Sequence, residues 1–164
     1  VENVAVGGYL QVDNEIYEVK AKHRYFEEYK GETWEWFEFE LLNVVTGEVV
    51  YLNYEHDDEL ELSIWQKDIK LHRIGVTKSE LDEHDDEEEG IIRHNGVKYH
   101  YDDSGDAKFF RNCEGNGEKH YYWDYEDDSG EFFLGFEKWN DGSYVASLGH
   151  KPRDVQVLHL GTKE

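Results

Sequence analysis

The side chains of this chain that could do chemistry are aromatic and acidic. Five tryptophans, Trp34, Trp36, Trp65, Trp123 and Trp139, stand among 12 Tyr and 8 Phe. Trp34 and Trp36 fall on the same side of a predicted strand as Glu38 and Glu40. Trp65 is out of phase with Leu62 and Ile64, and Tyr121, Tyr122, Trp123 and Tyr125 are too dense to share one face. Exposed aromatic rings mark a surface for a partner or a sugar. The five tryptophans are therefore the candidate partner or ligand face, with Trp34, Trp36 or Trp139 as a stacking platform for carbohydrate. If both faces of the sheet are covered, the same rings become core.

Other chemistries find little support. Asp102–Asp106 and Asp124–Gly130 are rich in oxygen ligands, but counting from Asp124 the sixth position is Ser129, where a calcium-binding loop needs Gly. Both segments read as Asp-rich turns. The nine histidines, His94, His100 and His56 beside Asp57 and Asp58 among them, show no zinc-ligand spacing. Cys113 is the single cysteine and lies in a loop-like stretch. No Gly-x-Ser-x-Gly elbow and no phosphate-binding loop are present. The expectation is no catalytic residue, no metal site and no cofactor.

The composition bounds the partners. The 164 residues carry 17 Lys and Arg against 39 Asp and Glu, a net charge of -22. That field repels nucleic acid and anionic lipid, whose binding needs many cationic contacts. A cationic partner fits: a basic protein surface, a polyamine or a metal ion. One cysteine permits no internal disulfide, which favours a reducing, cytoplasmic setting. No apolar run nears the roughly 20 residues of a membrane span, so direct membrane insertion is not expected. The chain begins at Val1 and contains no Met, as expected of a sequence trimmed at its start, and no signal peptide is visible.

The elements that must position these residues are strands. Tyr17, Val19, Ala21, His23 and Tyr25 alternate with Glu18, Lys20, Lys22 and Arg24, and Leu60, Leu62 and Ile64 alternate with Glu59, Glu61 and Ser63. A period of two means a half-buried strand. A turn centred on Gly31 pairs Phe26 with Trp36, Arg24 with Glu38 and Lys22 with Glu40. It leaves Tyr25 on Phe37, His23 on Phe39 and Ala21 on Leu41, and the next strand brings Leu52 to Leu41. Gly8–Tyr17 matches Gly90–Tyr99, and Thr46–Val50 matches Ser129–Phe133, at an offset of about half the chain. The pattern predicts a pseudo-repeat over 7–75 and 90–160. Between the halves Thr77 and Glu80 have capping-box spacing for a short helix ended by Gly90 and fraying into an acidic linker, 77–89. The expected fold is a single all-β domain, an antiparallel sandwich or distorted barrel of two related halves.

Tyr17–Val19, Trp36–Leu42, Gly135–Gly142 and Gly149 resemble a bacterial family known as domain of unknown function 4178. The resemblance runs from about Gly7 to Leu158. It implies no activity or catalytic residues, and by association of family members with membrane-stress and polyamine-related genes it implies an accessory role. Together these readings predict a non-enzymatic accessory binding module for a protein or cationic partner. The alternative is a small-ligand, metal or carbohydrate binding protein, or an enzyme, using a cleft between the halves.

Overall fold

The two-residue side-chain rhythm becomes eleven antiparallel strands in the computed structural model, which describes residues 1–161. In chain order they are β1 (Tyr9–Val12), β2 (Glu15–Tyr29), β3 (Glu32–Asn43), β4 (Val49–His56) and β5 (Leu60–Ile69). After the helices α1 (Leu71–Ile74) and α2 (Lys78–Glu87) come β6 (Ile91–His94), β7 (Val97–Phe110), β8 (Glu118–Asp127), β9 (Phe132–Trp139), β10 (Tyr144–His150) and β11 (Val155–His159). The strands are joined in the order β11-β1-β2-β3-β4-β5-β10-β9-β8-β7-β6. The far end of β2 also pairs with β7, through Arg24–Phe110, Tyr25–Phe109 and Phe26–Lys108. That seam closes eight strands, β2 to β5 and β7 to β10, into a barrel. Short β1, β11 and β6 lie outside it. The fold is a closed barrel with extra strands, and the sandwich alternative is set aside.

Local sequence sets this register. Asp13-Asn14, Lys30-Gly31 and Asn95-Gly96 turn the hairpins as pairs at positive φ, the backbone that two-residue hairpin loops require. The two-residue turn at Lys30-Gly31 corrects the expected pairing by one residue. Tyr25 lies opposite Trp36, His23 opposite Glu38 and Arg24 opposite Phe37, with a bulge between Val19 and Ala21. Leu52 meets Phe39, and Leu41 meets Val50. A one-residue slip exchanges the faces of a strand.

The outward faces carry two apolar clusters. One gathers Leu10, Val12, Val19, Phe39, Leu41, Leu52 and Ile64 with Val4 of the N-terminal segment. The other gathers Tyr99, Trp123, Tyr125, Leu134, Phe136 and Ala146 under Ile74, Val76 and Leu81 of the helical segment. Burying such side chains stabilises by roughly 1.5–3 kcal/mol each.

Two helices, not one, separate the strand sets. Thr77 caps α2 by accepting a hydrogen bond from the Glu80 amide at 3.2 Å. Gly90 is not its stop, since Glu88 takes the left-handed conformation there. A side chain at 90 would collide with the His84 ring, which lies over Gly90 and bonds through Nδ1 to the Tyr125 hydroxyl at 2.8 Å.

Candidate functional site

With the apolar side chains turned outward, the inward positions of the barrel strands are polar and aromatic. They surround a half-open cavity of about 940 Å³. Among the described residues, twelve that line it are Asp or Glu against two Lys, Lys67 and Lys151. Binding sites are more often apolar with few polar groups, so this excess of one charge is the defining feature of the site.

The floor is a buried ion network. Lys67 projects inward from β5 beside a bulge opposite Ser147, where Asp68 has φ 62°. Bulges of this kind re-aim side chains. Lys67 bonds the Glu38 carboxylate, lies 3.5 Å from Glu137 Oε1, and donates to the Tyr25 hydroxyl at 3.2 Å. Burial works against its charge, but Glu137 and Glu38 hold its ammonium well above the usual lysine range. Burial, with Glu137 adding to it, raises the Glu38 carboxyl against the opposing pull of Lys67. His120, stacked on Trp139 at 4.8 Å, points Nε2 at Glu137 from 3.4 Å. Burial lowers its pKa and keeps the ring neutral.

The walls are carboxylates interleaved with rings. Tyr122 donates to Glu27 at 2.6 Å and to Asp103 at 3.2 Å. Glu27 lies over Gly105, where a Cβ would fall 2.3 Å from Oε2. Asp124, between Asp103 on β7 and Gly135 on β9, has its carboxyl pushed up to about 8 by burial and then by Asp103, Asp102, Glu137 and Glu27. Glu27, Glu55, Asp102 and Glu126 are raised too, each by burial first and neighbouring acids after it. Several buried polar atoms on this lining have no hydrogen-bond partner among the described residues: Asn53 Oδ1, His120 Nδ1, Glu137 Oε2 and Ser147 Oγ.

The five tryptophans do not form one face. Trp34, Trp36 and Trp65 line the cavity. Trp36 stacks on Tyr25 at 5.2 Å and meets Tyr122 edge-on. Trp65 anchors its Nε1 on Ser63 Oγ at 2.7 Å and stacks on Phe133. Trp139 supports the floor through His120. Trp123 departs from the expectation: at 2% exposure it is core of the second apolar cluster, because Tyr122 and Asp124 take the inward positions on its strand.

Asp102–Asp106 is a second correction. It forms part of β7, with a bulge at Asp102, and not a turn. Only Asp127–Gly130 turns, through Ser129 Oγ bonded to Asp127. Among the described residues no group of three or more His, Cys, Asp or Glu is placed to hold a metal ion. Cys113 is exposed, and partial burial of its sulfur pushes the thiol up, away from thiolate chemistry. Sequence reasoning missed Lys67, Asp124, Ser147 and the cavity role of Glu27 and Asp103. The available signal was glycine inside strands, at 105, 135 and 149, which marks close approach of another group.

The inward polar positions and outward apolar shell define an eight-stranded barrel with an acidic, ring-lined cavity. The chain belongs to the family described as domain of unknown function 4178, whose model matches residues 5–153. No curated protein matches it, and no solved structure does. Among the described residues no helix is long and apolar enough to cross a membrane.

Proposed function

We propose that this protein is a binding module whose barrel cavity takes a small organic cation. One observation carries the reading: a cavity of about 940 Å³ lined by twelve carboxyl residues against two lysines. Carboxylates crowded in a partly desolvated space raise one another's pKa, and a cation entering among them relieves that repulsion. The rings of Trp34, Trp36 and Trp65 offer the cation–π contacts that such ligands use, worth about 0.5–2 kcal/mol each. An anionic ligand meets a repulsive field.

The test is calorimetry and thermal denaturation with 1,4-diaminobutane, arginine and choline, at matched ionic strength. At least one should bind and raise the melting temperature, and Glu27→Gln with Asp103→Asn should weaken it. If none binds beyond the effect of sodium chloride, the reading fails.

A second reading, an enzyme, has one observation in its favour. The titratable groups of Tyr25, Glu38, Lys67, Glu137 and His120 adjoin one another beneath the cavity, as in sites that move protons.

The pseudo-repeat belongs with this proposal. The stretch 7–75 holds five strands and 90–160 holds six, each stretch opens with a hairpin turned at Asp13-Asn14 or Asn95-Gly96, and residues of both line the cavity. Superposition of 7–75 on 90–160 tests the duplication.

A further inference from the structure

One row of the barrel wall is missing a side chain. Asp124, Gly135 and Ser147 are cross-strand partners on β8, β9 and β10, so all three face inward at one level. Gly135 carries nothing there. A Cβ built on it would stand 3.7 Å from Asp124 Oδ1 and 3.3 Å from Trp65 Cζ3. The carboxyl group and the indole thus both approach the bare backbone of Gly135, the ring more tightly than ordinary van der Waals contact, with Ser147 paired to Gly135 on the next strand. The φ of Gly135 is not positive, so the backbone conformation does not demand glycine at this position.

Two further observations point to an occupant. Ser147 is 3% exposed, lines the cavity, and its Oγ has no hydrogen-bond partner among the described residues. Leaving a buried hydroxyl unsatisfied costs about 1–3 kcal/mol. The charged groups that act most strongly on Asp124 are acids: Asp103 and Asp102 from β7, Glu137 from β9 and Glu27 from β2. Lys67 on β5 is engaged with Glu38 and Glu137. The row therefore holds an unneutralised carboxyl group and an unused hydroxyl beside an aromatic ring.

We propose that the corner of the cavity lined by Asp124, Gly135 and Ser147 is a subsite for a primary ammonium group, which donates to Asp124 and Ser147 against the Trp65 ring. This deepens the cation reading above and rests on it. A primary ammonium has three N–H donors, enough for both oxygens. A quaternary ammonium has none, so it leaves Ser147 unpartnered and brings methyl groups into a gap framed by close walls. Asp124 binds the ammonium as carboxylate; any proton it carries leaves to solvent as the N–H···O bond forms.

The experiment compares 1,4-diaminobutane with its fully N-methylated counterpart, which has the same two charges and no N–H, by calorimetry on the full chain. The primary diamine should bind at least tenfold more tightly. Ser147→Ala should erase most of that preference without lowering the melting temperature, since it removes an unpaired hydroxyl. Asp124→Asn should weaken both ligands, the primary diamine more. Equal binding of the two diamines, or a preference untouched by Ser147→Ala, overturns the subsite while leaving the cavity reading intact. Failure of every cation tested to bind the unaltered protein overturns both.

Discussion

The indole of Trp65 lies flat against the backbone of Gly149: a Cβ placed there would sit 2.6 Å from Trp65 Cδ2. The two are cross-strand partners on β5 and β10. The glycine is what lets a tryptophan occupy the inside of the barrel and wall the cavity beside Phe133.

Gly149→Ala should therefore push Trp65 inward. Overpacking of this kind costs about 1–3 kcal/mol. A lower melting temperature together with a shifted tryptophan emission would report it. An unchanged spectrum would show that Trp65 is free to give way.

The floor network makes a sharper stability prediction. Glu38 is 3% exposed and bonded to Lys67 and Tyr25. Removing one partner of a buried ion pair costs about 3–5 kcal/mol, whereas replacing the pair by apolar groups can be neutral. Glu38→Leu alone should destabilise by that order in denaturant titration. Glu38→Leu with Lys67→Met should recover much of the loss, less what Glu137 forfeits.

Asp124 gives the fold a pH dependence of definite sign. Its carboxyl ordinarily titrates at 3.8 and is raised to about 8 here. Below 3.8 the group is protonated in both folded and unfolded chains. Between 3.8 and about 8 only the folded chain keeps the proton, so stability falls as pH rises across that window. Asp124→Asn should flatten the slope of melting temperature against pH. A slope unchanged by the substitution would count against the assignment.

The same group links binding to pH. Affinity for 1,4-diaminobutane should rise as pH climbs from 6 toward 8 and level off beyond it. Calorimetry in buffers of different ionisation enthalpy should register proton release near pH 7. Both effects should shrink in Asp124→Asn.

At the cavity mouth, Asp85 of α2 accepts hydrogen bonds from Ser104 and from the Tyr121 hydroxyl, the latter at 2.6 Å. Asp85→Ala should loosen that end of α2 and cost about 1–3 kcal/mol. Faster amide exchange over Lys78–Glu87 is the readout.

The strands and hairpin turns were legible because their signals are local. Alternation from Tyr17 to Tyr25, Asn95-Gly96, and the Thr77 cap are read within a few residues. The register of β2 on β3 was not, because it hinges on whether Lys30-Gly31 or a longer turn reverses the chain, and both keep a plausible pairing. The site was the least legible part. Alternation places Glu38 and Trp36 on one face but does not say that the face is an interior. Only closure through Tyr25 and Phe109 makes it so, and those residues are 84 positions apart by their numbers. The acids at Asp102–Asp106 misled for the same reason, since a segment rich in Asp and Gly looks like a bend until a neighbouring strand pairs with it.

Rolling eight strands shut also decides how this chain meets copies of itself. A sheet left open would present long rows of free amides and carbonyls, on which other strands can polymerise. Here the outer rims are β11, five residues, and β6, four residues. Such brief borders, under a net charge of -22, give an approaching copy little ladder to extend. Short borders of this kind work against the spread of one sheet into fibres.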